Sequence, residues 1–169
     1  RLAGESMLEV TGGSGDIAVI TFPEITSCIY RVRGFKDFLK EHDNTLTIVA
    51  ELSGRGNRDD AYATATELLQ GHNNLKGIFA VNDPSALGAC AAVAKAGKAD
   101  AIPIIGFDAS PAGKQAVFEK KLYDSPQQFP RKIAKGTVEA FVKYLEGEQL
   151  PRRKFIPGAH YLYKDSIYD

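Results

Sequence analysis

The chain has no tryptophan and two cysteines, and its 21 basic side chains are balanced by 21 acidic ones. A formal charge of zero removes the bulk attraction on which nucleic-acid binding rests. No apolar run approaches the ~20 residues that span a bilayer. There is no internal repeat and no low-complexity segment. Cys28 and Cys90 both fall in helical patterns, where a small buried hydrophobe is the expected role rather than a disulfide or a redox pair. His42, His72 and His160 stand far apart, and none has metal-ligand spacing to a cysteine or another histidine. No G-x-S-x-G elbow occurs. The first strand ends in Thr21-Phe22-Pro23-Glu24, without the acidic pair a phosphorelay receiver needs for its metal. No catalytic residue, metal or cofactor is therefore expected, and the chain does not read as an enzyme.

What is present is strand and helix in alternation. Apolar runs at 17–22, 46–52, 78–81 and 102–107 read as strands, with a weaker, more polar one at 122–127. Between them, Cys28, Val32, Phe35 and Leu39 form one helical stripe, with Ser27 as a cap, and Ala61, Ala65, Leu68 and Leu69 form another. Asp83-Pro84 reads as a helix start, an N-cap oxygen followed by a residue whose φ is already helical, and Gly97 ends that helix. Ser110-Pro111 opens a further helix. Pro130 opens a long one with Ile133, Phe141, Tyr144 and Leu145 on one face, stopped by Gly147. Two short extended pieces follow, around Phe155-Ile156 and at 161–163. The fold class is α/β: a three-layer sandwich with a mostly parallel sheet of about five strands.

In a parallel sheet the carboxyl ends of the strands share one edge, where such folds bind ligands. That edge collects Arg31, then Arg55 and Arg58, then Asn82, Asp108 and Gln128. Arg, Asn, Asp and Gln together offer donors and acceptors with little net charge. A polyhydroxylated ligand matches such a rim, because each hydroxyl both donates and accepts.

At these residues the sequence resembles the periplasmic sugar-binding proteins of ABC transporters, of the ribose- and galactose-binding type. The matching motifs are A-V-N-D-P-S-A-L-G-A at 80–89, I-I-G-F-D-A-S-P at 104–111, R-V-R-G-F at 31–35 and Q-Q-F-P at 127–130. The resemblance implies a type I periplasmic binding fold whose two lobes close over a sugar or polyol and deliver it to a membrane permease. It implies a periplasmic or extracytoplasmic location. It makes Arg31, Asn82, Asp108 and Gln128 the ligand contacts. The family carries an aromatic in the loop after the second strand, where this chain has Gly56. Arg55 or Arg58, laying a guanidinium plane on the ligand, is the expected substitute.

By the same resemblance, 1–129 is the C-terminal ligand-binding lobe and 130–150 a crossover helix belonging to an N-terminal lobe outside this sequence. Residues 151–169 are then a tail of returning short strands. The chain opens on Arg1 inside what reads as a helix, with no signal peptide, so a longer protein is expected. The apolar stripe of the crossover helix offers a route to a dimer when its own lobe is absent. A second reading is the effector-sensing domain of a lactose-repressor-type regulator, which shares the fold and the N-D and G-F-D motifs. Its DNA-binding helices would lie upstream, so no nucleic acid is expected on this segment. The glutamine-proline hinge and the tail favour transport.

Overall fold

A computed structural model describes residues 1–166. Four strands, β1 (Ser14–Thr21), β2 (Thr45–Ser53), β3 (Leu75–Ala80) and β4 (Ile104–Ile105), form one sheet in the order β2-β1-β3-β4, with every pairing parallel. The helices are α1 (Leu2–Thr11), α2 (Thr26–Glu41), α3 (Arg58–Gly71), α4 (Asp83–Lys95), α5 (Pro111–Phe118), α6 (Pro130–Leu145) and α7 (Tyr163–Ser166).

The period of two along the strands divides the core into two layers. Ala18 and Ile20 of β1, with Ile78 and Ala80 of β3, face α3 and α4 through Ala65, Leu68, Ala86 and Ala89. Ile17 and Val19, with Phe79 and Val81, face α1 and α2 through Met7, Val32 and Phe35. The rings of Phe35 and Phe79 stack with centroids 4.6 Å apart, pinning α2 to β3. Every buried residue of α2 belongs to the stripe Cys28, Val32, Phe35 and Leu39. Both cysteines are free thiols, and burial pushes that of Cys90 up to about 12. Among the described residues no helix is long and apolar enough to cross a membrane.

The sheet has four strands rather than about five. Residues 122–127 run parallel to β4 and the chain that follows it, but pair with them only through the isolated bridges Ile105–Asp124 and Asp108–Gln127. Pro126 has no N–H to give. The amides of Ser125 and Gln127 turn away to the tail carbonyls of Tyr161 and Ala159. The tail itself differs from expectation around Phe155, which is 83% exposed and unpaired with any strand, whereas Ala159 and Leu162 make the antiparallel bridges and Tyr163 already begins α7. Residues 167–169 lie outside the described residues. Nor does Ser27 cap α2: the helix starts at Thr26, and the Ile25 carbonyl takes the amides of Cys28 and Ile29.

One cluster has the letters of a hydrolase triad without its geometry. Ser6 Oγ donates to Asp124 Oδ2 at 2.6 Å, and His160 Nδ1 meets the same oxygen at 2.7 Å. The other ring nitrogen faces Glu5 at 3.3 Å, so neither serine nor histidine is aimed at a shared reaction centre. Burial alone would lower the His160 pKa; the hydrogen bond and charge of Asp124, with Glu5 behind them, outweigh it and raise it. The trio ties the tail to α1.

Candidate ligand-binding site

Arg31 lies in the second turn of α2 and reaches across the carboxyl edge of the sheet. Its Nη1 donates to the Val81 carbonyl at 2.9 Å, and its Nη2 donates to Asp108 Oδ1 at 2.8 Å. The guanidinium lies over the Phe107 ring, 4.1 Å from the centroid. Both partners of the ion pair are partly screened from water, with side-chain exposures of 14% for Arg31 and 25% for Asp108. Gln128 Nε2 donates to the same Oδ1 at 2.7 Å. Asp108 Oδ2 makes no hydrogen bond to another described residue, so one acceptor oxygen is free at the mouth. Burial raises the Asp108 pKa above the ordinary carboxyl value, against the lowering effect of Arg31's charge and hydrogen bond.

Asn82 stands one residue beyond Val81 and is the N-cap of α4. Its Oδ1 accepts from Ser85 N at 3.0 Å, and its Nδ2 donates to the Gly56 carbonyl at 3.0 Å. Each bond uses half of what the amide offers, leaving a second N–H and a second lone pair for a ligand. The cap therefore belongs to Asn82 and not, as the sequence suggested, to Asp83. The reason is local. Ala86, the amide an Asp83 cap would serve, is already bonded to the Asn82 carbonyl, Pro84 has no N–H, and Ser85 holds the open donor. Asp83 is released for another task. It is fully buried and accepts from Ser110 N at 2.7 Å, Ser110 Oγ at 2.7 Å and Ser125 Oγ at 2.6 Å.

Arg31, Asp108 and Gln128 thus meet at one point, with Asn82 beside them. Arg55 and Arg58 do not join the cluster. Arg55 is an exposed loop residue at φ 48 whose backbone amide bonds to Ser53 Oγ. Arg58 begins α3 and is exposed on the wall of a groove it shares with Leu87 and Cys90.

Two aromatics at the site carry no pattern that singles them out in the sequence. Phe107 is the apolar end of a strand-like run. Phe22 follows β1 directly, and a Cβ at Gly56 would come within 2.5 Å of its ring and 3.3 Å of Asn82 Nδ2. Its ring therefore fills the space above the glycine, beside Asn82. The position just past β1, at the ligand-facing edge, was the one available signal. A groove of about 800 Å³ lies elsewhere, near Ser14, Lys76 and Pro103 at the amino end of the strands. Its charged lining is mostly cationic, Lys76, Lys120, Lys121 and Lys164 with Asp100, whereas the carboxyl edge brings donors and acceptors together.

A sequence profile of the periplasmic binding protein domain matches residues 1–149. The chain is 30% identical over 151 residues to the ribose import binding protein of Salmonella typhimurium, covering 89% of this chain and 50% of that protein. It is likewise 30% identical over 149 residues to the D-ribose/D-allose-binding protein of Pseudomonas aeruginosa, covering 88% of this chain and 46% of that one. Among solved structures, an ABC transporter periplasmic solute binding protein from Actinobacillus succinogenes with bound D-allose superimposes with a TM-score of 0.91 at 25% identity. That match covers 99% of this chain and 59% of the other. The chain spans about half the length of the relatives it matches.

Proposed function

This chain belongs to the periplasmic binding protein domain family, and from that premise we propose that it is the C-terminal lobe, residues 1–129, of a sugar- or polyol-binding protein serving an ABC transporter. The observation that supports this most is the meeting of Arg31, Asp108 and Gln128 beside Asn82 on one sheet edge. Asp108 Oδ2 accepts a ligand hydroxyl, Arg31 and Asn82 donate to ring or hydroxyl oxygens, and Gln128 fixes the carboxylate from the hinge side. Phe22 presents an apolar surface next to them, at the position where Gly56 offers none.

An open edge encloses little of a small ligand, so a second lobe must close on it to exclude water. Helix α6 supports that arrangement. None of its residues is buried, and Val138, Phe141 and Leu145 are 60% to 68% exposed. We assign residues 130–150 to packing on that second lobe, with 151–169 returning to this one. The same role places the protein outside the cytoplasm, with a permease as its partner.

Calorimetric titration of the full-length protein with D-ribose, D-allose and a panel of pentoses, hexoses and polyols tests the reading. At least one should bind at micromolar concentration or tighter. A panel with no binder removes it. The pH profile adds a second check. Ionised Asp108 is the acceptor, and its pKa in the free protein is raised. A ligand hydroxyl donated to it favours the ionised form, so affinity should fall as pH drops through that raised value. Near that value, binding should release protons, seen as a dependence of binding heat on the buffer's ionisation enthalpy.

A further inference from the structure

We propose that Asp83, which has no place in the ligand shell, is a positioning residue that holds Asp108 in its ligand-binding orientation. This rests on the sugar-site reading above.

Asp108 and Ala109 both have left-handed backbone, at φ 113 and φ 47. Residues with a Cβ stay there only where their surroundings over-determine them. Three consecutive amides show what does so. Asp108 N donates to the Pro126 carbonyl at 3.0 Å. Ala109 N donates to Ser125 Oγ at 2.9 Å, and Ser110 N donates to Asp83 Oδ2 at 2.7 Å. The last two tethers both end on Asp83, because Ser125 Oγ in turn donates a hydrogen bond to Asp83 Oδ1 at 2.6 Å. Ser110 Oγ also donates to Oδ2, which turns its lone pair toward Gly113 N and caps α5.

Asp83 therefore clamps three pieces of chain: its own α4, the 108–110 turn with α5, and the segment at 125. The space is cleared for a carboxylate. A Cβ at Gly106 would stand 2.8 Å from Oδ1, and one at Gly113 would collide with the carboxylate itself. Both oxygens act only as acceptors, and both are in use. An amide supplies one acceptor oxygen where two are needed, so Asp83→Asn either sets an N–H against the Ser110 amide or leaves the Ser125 hydroxyl without its acceptor.

A double-mutant cycle in the full-length protein tests this, with calorimetry using whichever of D-ribose or D-allose binds the unmodified protein more tightly. Asp83→Asn should lower affinity about tenfold. In an Asp108→Asn background the same change should alter affinity less than about twofold, because the group being positioned has already lost its charge. Equal effects in both backgrounds would make Asp83 a general structural residue and overturn the proposal, as would unchanged affinity in Asp83→Asn. Should Asp108→Asn itself leave affinity untouched, the site reading falls instead, and the two failures are thereby told apart. Ser125→Ala, which removes one tether and leaves the carboxylate, runs through the same cycle. It should show the same non-additivity, and it decides the matter if Asp83→Asn does not fold.

Discussion

Arg31→Ala in the full-length protein should weaken sugar binding by about a hundredfold. The substitution removes a potential ligand donor, and it also strands the Asp108 carboxylate, leaving Gln128 as its hydrogen-bond partner among the described residues. At a site that the ligand buries, truncating one partner of a hydrogen-bonded charge pair costs about 2–5 kcal/mol of binding free energy. Here the two side chains keep 14% and 25% of their exposure, so water screens part of that and the lower half of the range applies. About 3 kcal/mol corresponds to roughly two decades in Kd. Arg31→Lys should fall between, since an ammonium keeps the charge but cannot hold the Val81 carbonyl and the carboxylate with one planar fork while lying on Phe107. Affinity in Arg31→Ala equal to that of the unmodified protein would reduce the cluster to a clamp between α2 and the 108 turn.

Gly88→Ala should be the most damaging methyl that can be added to α4. The new Cβ would overlap the Arg58 carbonyl oxygen and stand 2.9 Å from the amide nitrogen of Tyr62, both backbone atoms of α3. In an ordinary helix interior, glycine to alanine stabilises by about 1 kcal/mol. Here the obstruction is main chain, so no rotamer change relieves it and the two helices must part. Ala61 and Ala65 of α3 share one core cluster with Ala89 and Ala92 of α4, so there is little side chain near the glycine that could make room. Overpacking of this kind costs about 1–3 kcal/mol and occasionally more. Main-chain overlap puts the cost near the top of that range, the helix gain offsets part of it, and the net expectation is a loss of about 2 kcal/mol, which for a domain of this size lowers Tm by roughly 4–8 °C. Gly71→Ala in the last turn of α3 is the matched control. Nothing lies within 4 Å of its Cβ position, so the same change there should leave Tm equal or higher. Thermal unfolding of both variants reads the difference, and a Gly88→Ala protein melting with the unmodified chain would contradict close helix contact at this point.

The two substitutions also separate two kinds of information. Arg31 could be singled out before any coordinates, from its place after β1 on the edge it shares with Asn82 and Asp108. Gly88 could not, because it looks like one more small residue in a run of them.

The local patterns settled a good deal. Alternating apolar residues marked the central strands, and the stripe of Cys28, Val32, Phe35 and Leu39 marked the buried face of α2. Where the strands end decided which polar groups share an edge, since a parallel sheet leaves no choice in the matter. These readings hold because periodicity and strand direction are properties of neighbouring residues. Other features depended on partners distant in the chain. The expected fifth strand is lost to amides that pair with residues more than thirty positions later. The cap passed from Asp83 to Asn82 according to which amide was still open, and Phe22 came to rest on Gly56 across two strands. A hydrogen bond or a packing contact has two ends, and a pattern in one stretch of chain specifies only the near one.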